Sequence, residues 1–204
     1  MDENMQTVYV VDDDASFLTT LTRWLRAFGY AVESFASAAE FLAQRKRSAA
    51  GCVVADLQMP GMDGMALQQA LAQTDNPLPI VFLTGHGDIS TSVQAMRHGA
   101  EDFLVKTASK EKLLAAIERA LARDVVESRD RQRKSELLNR FAQLTPRENE
   151  VLAHVLRGRL NKQIAADLGI DERSVKRHRT SLMGKLRARS VVELTQLADD
   201  VNLR

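Results

Sequence analysis

Through residues 1–123, short apolar runs alternate with stretches whose apolar residues recur every third or fourth position. The runs cover residues 7–11, 31–35, 52–55, 80–83 and 103–105. Runs this short, bounded by polar or turn-forming residues, predict strands. Residues 16–28 place Phe17, Leu21, Trp24, Leu25 and Phe28 at helical spacing, with Gly29 to close the helix. Residues 38–47 predict a short helix capped by Ser37. A glycine-flanked loop at 61–64 opens into a helix over 65–73, and residues 88–98 predict another that stops at Gly99. Residues 110–123 are periodic through Leu113, Leu114, Ile117 and Leu121. Strands and helices in strict alternation predict an α/β domain over residues 1–121, a five-stranded parallel sheet of (βα)5 order.

The pattern changes beyond residue 121. Residues 122–140, ARDVVESRDRQRKSELLNR, are charged and hold no helix breaker, which predicts an exposed helix or helical linker. Val125 and Val126, then Leu137 and Leu138, can support dimer packing, although no sustained heptad follows. Residues 141–204 predict an all-α domain of four short helices. Thr145, Pro146 and Glu148 form a helix start: a cap, a first-turn proline and the acid of a capping box. Val151, Leu152 and Val155 make its apolar face. A second helix begins at Asn161 and carries Ile164, Ala165 and Leu168. Gly169 supplies a tight turn, and Asp171 caps a third helix that ends near Leu186. Helix, short glycine turn, helix is the helix-turn-helix plan. On the third helix Val175, His178, Leu182 and Leu186 are expected to face inward, with Lys176, Arg177, Arg179 and Thr180 outside.

Composition adds a contrast between the halves. The chain has 204 residues, 45% hydrophobic and 27% charged, which suits globular domains and excludes a disordered or fibrous class. Its net charge of +1 conceals 10 Lys/Arg against 15 Asp/Glu in residues 1–121, and 18 against 12 in residues 122–204. An acidic domain joined to a basic one fits a sensor coupled to a nucleic-acid binder. The single cysteine, Cys52, excludes an intrachain disulfide and a cysteine-rich zinc site. No apolar stretch approaches the ~18 residues of a membrane span. The acidic opening MDENMQTVYVVDDD is unlike a signal peptide, so a cytoplasmic protein with no membrane partner is expected.

Candidate chemistry lies where the predicted strands end. Asp12 and Asp13 follow the first run, Asp56 the third, Thr84 the fourth and Lys106 the fifth. In a parallel α/β sheet the carboxyl ends of the strands form the ligand edge. Three carboxylates gathered there repel one another. A bound Mg2+ offsets that repulsion, taking a few carboxylate or carbonyl ligands. Beside such a charge a carboxylate can act as a nucleophile toward phosphorus, while a lysine neutralises the transferring group. Asp14 reads as a helix cap, and His86 as a modulator of the pocket or a bystander.

The phrases VYVVDDD, VVADLQMPGMDG, PIVFLTGHGD and AMRHGAEDFLVK, in this order and spacing, resemble the receiver domain of two-component response regulators across residues 5–122. The resemblance implies that Asp56 is the phosphoacceptor and that Asp12 and Asp13 are the acidic pair of a Mg2+ site. It implies that the backbone carbonyl of Gln58 completes the protein ligands. Thr84 is implied to hydrogen-bond a phosphoryl oxygen, Lys106 to pair with the phosphoryl group, and Phe103 to be the switch aromatic. One residue departs from the pattern. The family follows this lysine with proline in a cis bond that aims the lysine, whereas Thr107 stands here. A cis bond to threonine costs about 2.5–4 kcal/mol, so a trans loop and a differently placed Lys106 are expected.

In the second half, LTPRE, NKQIAADLGI, SVKRHR and MGKLRARS resemble the LuxR-type helix-turn-helix domain across residues 141–204. That resemblance puts Lys176, Arg177 and Thr180 at base edges and Lys162, Arg179 and Lys185 at phosphates. It makes Glu148 a fold-holding partner of a basic side chain. Together the halves resemble the FixJ/NarL response regulators, and their FixJ-like branch in particular. The implied protein is a transcription factor, not a dedicated enzyme. A sensor histidine kinase phosphorylates it on Asp56, a homodimer forms, and double-stranded promoter DNA is bound, with RNA polymerase as a further partner and activation as the outcome. Thr107 keeps open a regulator whose receiver is locked or independent of phosphate. A phosphorelay intermediate or phosphate sink is the third reading, disfavoured by an output domain without a catalytic constellation.

Overall fold

The computed structural model describes residues 6–85 and 89–203. His86 and Asp88, which entered the sequence expectations, lie outside the described residues. The chain divides into two compact units, Met1–Ser128 and Arg129–Arg204.

The first unit is a parallel sheet of β1 (Thr7–Val11), β2 (Ala31–Phe35), β3 (Gly51–Ala55), β4 (Ile80–Thr84) and β5 (Asp102–Val105), in the order β2-β1-β3-β4-β5. Helices α1 (Ala15–Ala27), α2 (Ala38–Gln44), α3 (Gly64–Ala72) and α4 (Ile89–Arg97) alternate with the strands, and α5 (Lys110–Ala142) follows β5. Neighbouring residues on each strand point to opposite faces and sort the core into two layers. Tyr9, Val11, Val53, Ala55 and Phe82 join Phe41 and Leu67 on one side. Val8, Val10, Cys52, Val54 and Leu83 join Leu25 and Ile117 on the other. Both faces are covered, which is why the runs are continuously apolar rather than alternating.

Side-chain caps start the helices close to where the sequence places them. Asp14 accepts from the N–H groups of Ser16 and Phe17, Ser37 from Glu40, and Asp63 from Ala66. The Asp63 cap starts α3 at Gly64, one residue earlier than expected, and that residue has to be glycine. A Cβ there would lie 2.5 Å from the Asp56 carbonyl oxygen and 2.9 Å from the Phe82 ring. The close approach seats the start of α3 against the end of β3.

The helix expected over 110–123 and the linker expected over 122–140 are one continuous helix, α5. Nothing in its sequence breaks it. Within the first unit, buried Asp124 accepts the Gly51 N–H at 2.8 Å. Within the second unit, Leu137 and Phe141 are buried core residues. The second unit continues with α6 (Pro146–Leu156), α7 (Asn161–Leu168), α8 (Glu172–Leu186) and α9 (Val191–Asp200). Thr145 and Glu148 form the expected capping box of α6. Gly169 adopts φ 62°, the left-handed conformation that the turn before α8 requires. Val151, Ile164, Val175, Leu182, Leu186 and Leu194 fill the core. His178 is only half-buried, not inward as expected. At 100° per residue it stands about 60° off the stripe of Val175, Leu182 and Leu186. No helix among the described residues is long and apolar enough to cross a membrane.

Candidate functional site

β1 and β3 pair in parallel with Val11 opposite Ala55. The next residues, Asp12 and Asp56, therefore leave the sheet side by side. From β1 the chain goes to β2 on one side and returns to β3 on the other, so the two carboxylates flank the point where the strand order reverses. Asp13 joins them. Carboxylate oxygens of Asp12, Asp13 and Asp56 all lie within 4.8 Å of one another, with Asp12 and Asp56 buried and Asp13 exposed. Asp12 Oδ1 accepts the Asp14 N–H at 2.9 Å, and Asp56 Oδ1 accepts the Gln58 N–H at 3.3 Å. Gln58 itself is exposed. Lys106 Nζ reaches Asp12 Oδ2 at 2.7 Å and Asp56 Oδ2 at 2.8 Å. Its N–H donates to the Thr84 carbonyl at 2.7 Å, tying the ends of β4 and β5 together. Thr84 is buried at the end of β4. Phe103 on β5 is half-buried, its ring centroid 6.1 Å from that of Phe82.

The second unit presents a different chemistry. Lys176, Arg177 and Thr180 stand exposed along α8, and Lys162 is exposed in the first turn of α7. Lys176 faces Glu172 at 3.5 Å, a solvated pair that holds it weakly. Arg179 is half-buried, and its Nη1 donates to Asn161 Oδ1 at 2.6 Å, linking α8 to the start of α7. Lys185 Nζ donates to Glu148 Oε2 at 2.7 Å and to the Gln143 carbonyl at 3.1 Å. Buried Glu148 also accepts from the Ser181 hydroxyl at 2.6 Å and the Thr145 N–H at 2.8 Å. The Lys185 hydrogen bond first, then that of Ser181, pulls the Glu148 carboxyl down to about 2. Glu148 thus holds a basic side chain, as its sequence context implies.

Residues 8–118 match the response regulator receiver domain family, and residues 142–198 match the bacterial regulatory proteins of the luxR family. The chain belongs to the response regulators. Response regulator protein TodT of Pseudomonas putida is 40% identical to it over 199 residues, 98% of this chain and 88% of the relative. The transcriptional regulatory protein FixJ of Bradyrhizobium diazoefficiens is 37% identical over 191 residues, 94% of this chain and 93% of the relative. A solved structure of the response regulator StyR matches with TM-score 0.81 and 44% identity, covering 96% of this chain and 99% of that one. Full-length FixJ from B. japonicum matches with TM-score 0.56 and 35% identity over 98% of each chain. This response regulator joins a receiver to a helix-turn-helix domain, the architecture of non-catalytic, phosphorylation-linked transcription factors. A cognate histidine kinase and DNA are the partners that this family membership implies.

The electrostatics of the regulator's acidic pocket follow from its burial. Desolvation pushes the Asp12 carboxyl up, while hydrogen bonds from Lys106 and the Asp14 backbone work against it. Desolvation would lower the Lys106 ammonium, but its hydrogen bonds to Asp12 and Asp56 outweigh that and hold it above its ordinary value. A close set of three carboxylates, with oxygen the only donor, fits a hard divalent cation such as Mg2+. Every peptide bond among the described residues is trans, as Thr107 predicts. With this trans loop the Lys106 ammonium reaches both carboxylates. Sequence reasoning missed one neighbour of this lysine. The Phe17 ring centroid lies 4.3 Å from Lys106 Nζ. Phe17 counts as an ordinary core position by periodicity; its place three residues past the Asp14 cap is the signal that puts it at the sheet's carboxyl edge.

Proposed function

We propose that this response regulator accepts a phosphoryl group on Asp56 from a sensor histidine kinase and thereby gates its own pairing on promoter DNA. The observation that carries this reading is the convergence of Asp12, Asp13 and Asp56 within 4.8 Å, with Lys106 at 2.8 Å from Asp56. An Asp56 carboxylate oxygen attacks phosphorus; the aspartyl O–P bond forms, the kinase N–P bond breaks, and the released imidazole keeps the electron pair and takes up a proton. Asp12, Asp13, Asp56 and the Gln58 carbonyl would hold Mg2+, which when bound supplies positive charge against the phosphoryl oxygens. Lys106 supplies a second positive charge, and the Thr84 hydroxyl donates to a phosphoryl oxygen. Phe103 turns inward as Thr84 moves.

The surface that this rearrangement alters carries its own support. Ile89, Val93, Met96 and Val105 are exposed apolar side chains on α4 and β5. A second receiver covers them in the phosphorylated homodimer. In the second unit, Lys176, Arg177 and Thr180 meet base edges in the major groove, and Lys162 and Arg179 meet phosphates. Lys185 keeps about a third of its side chain exposed and shares its charge with a phosphate. RNA polymerase is then engaged at the promoter and transcription rises. The cytoplasm, where chromosomal DNA is reached, is the compartment this work requires. Lys106 meeting both carboxylates beside Thr107 supports a working receiver over a locked one.

Light scattering in Mg2+, with and without beryllofluoride, tests the reading. The native chain is expected to pass from monomer to dimer, and an Asp56→Ala chain to remain monomeric. A native chain that stays monomeric in beryllofluoride would remove dimer gating.

A further inference from the structure

We propose that Phe17 is a positioning residue for phosphoryl sensing, its ring holding the Lys106 ammonium against the acidic pocket. This role rests on the reading of Asp56 as phosphoacceptor. Lys106 is anchored at its main chain by the Thr84 carbonyl. From there a flexible four-carbon stem leads to the ammonium, and such a stem has many rotamers. The ammonium meets two carboxylates and one aromatic ring. A ring face attracts a cation through its quadrupole.

The surroundings show why a wall is needed there. A cleft of about 250 Å3 lies beside Lys106, lined by Phe17, Trp24, Leu83, Ala108 and Leu113 among others. Ala108 is too small to close it, so the lysine stem has room to swing away from the pocket. Phe17 and Lys106 both line this cleft, and the ring is in contact with the ammonium. The placement of Phe17 is fixed by the cap of α1, where its N–H donates to Asp14 Oδ1 at 3.1 Å. The ring also differs in kind from the other partners. An incoming phosphoryl group competes with Asp12 for the lysine, whereas an uncharged ring keeps its contact while the ammonium changes anions. Phe17 therefore orients Lys106 without opposing the switch.

The test uses the full-length chain in Mg2+, titrated with beryllofluoride. Trp24 is the single tryptophan and lines the same cleft, so its fluorescence reports binding. Phe17→Leu and Phe17→Met are expected to raise the half-saturating concentration by about two- to tenfold, the range of one lysine–ring contact. Phe17→Tyr, which keeps the ring, is expected to stay within about twofold of native. In a Lys106→Ala background, Phe17→Leu is expected to add nothing, because the interaction it removes is already gone. Native-like affinity in both apolar variants overturns the role. So does an equal loss with Lys106 absent, or a Phe17→Tyr variant as weak as Phe17→Leu. Circular dichroism checks folding, and Phe17→Met decides if Phe17→Leu does not fold. A native chain with no response overturns the Asp56 reading and this role with it; a native response with unchanged variants overturns this role alone.

Discussion

Glu148 is a buried carboxylate that takes hydrogen bonds from three residues of its own unit. Its carboxyl is held at about 2, below the ordinary carboxylate range, by Lys185 first and then Ser181. The folded form therefore prefers the ionised acid more than the unfolded form does. That preference contributes stability in full above the unfolded value near 4.3, and it disappears as pH falls toward the folded value of about 2. Removing the charge at Glu148 leaves the half-buried Lys185 ammonium without its anion. Glu148→Gln is expected to destabilise the protein at pH 7 by on the order of 2 kcal/mol. The same variant flattens the acid side of the stability curve between those two values, which urea unfolding across pH will measure. The exposed cations of α7 and α8 are expected to divide by role. Lys176→Ala is expected to cost about 1–3 kcal/mol on specific DNA and little on random DNA. Lys162→Ala weakens both alike and lowers the salt slope by roughly one. Binding isotherms at several salt concentrations separate the two.

At the level of elements, the carboxyl edge is built by junctions rather than by strands alone. The α3 start sits so close to β3 that any side chain at 64 meets the Asp56 carbonyl oxygen at 2.5 Å. Backbone there cannot give way without moving Asp56. Gly64→Ala is expected to destabilise by about 1–3 kcal/mol, as overpacking does. It also weakens beryllofluoride binding, although residue 64 touches no phosphoryl group. A Gly64→Ala chain with native urea midpoint and native binding would show that α3 can slide freely. The Thr145–Glu148 capping box on α6 was legible in the linear sequence because both partners sit within one turn. The α5 helix was legible only in part. A charged segment without an apolar stripe reads as solvated, yet Asp124 and Leu137 are buried near its ends. Their partners, Gly51 and the second unit's core, are far away in sequence.

For the whole molecule, the switch we propose joins two weak recognitions into one. In that proposal a single helix-turn-helix unit holds one half-site, and pairing of receivers raises the effective concentration of the second. Beryllofluoride is therefore expected to tighten binding to DNA with two half-sites by at least about tenfold and to leave a single half-site nearly unchanged. Gel-shift titration on the two DNAs tests this. Equal tightening on both would point to release of a masked recognition helix instead. The strand–helix alternation and the helix-turn-helix pattern stand within residues 8–118 and 142–198, the stretches that the two families match.

What the sequence determined by itself is local in origin. Periodicity and turn chemistry set the order of strands and helices, the fully covered sheet, the caps at Asp14, Ser37 and Asp171 and the left-handed turn at Gly169. The identities of Asp12, Asp13, Asp56, Thr84 and Lys106 at run ends were visible for the same reason. Tertiary structure decided which of these side chains meet and what holds them. The parallel register sets Asp12 beside Asp56, the pairing of β5 with β4 brings Lys106 onto both, and the α1 cap delivers Phe17 to the lysine. Such contacts join residues up to 94 positions apart, as Lys106 joins Asp12. No pattern of near neighbours records them, because they arise only when strand pairing and helix packing close the chain on itself.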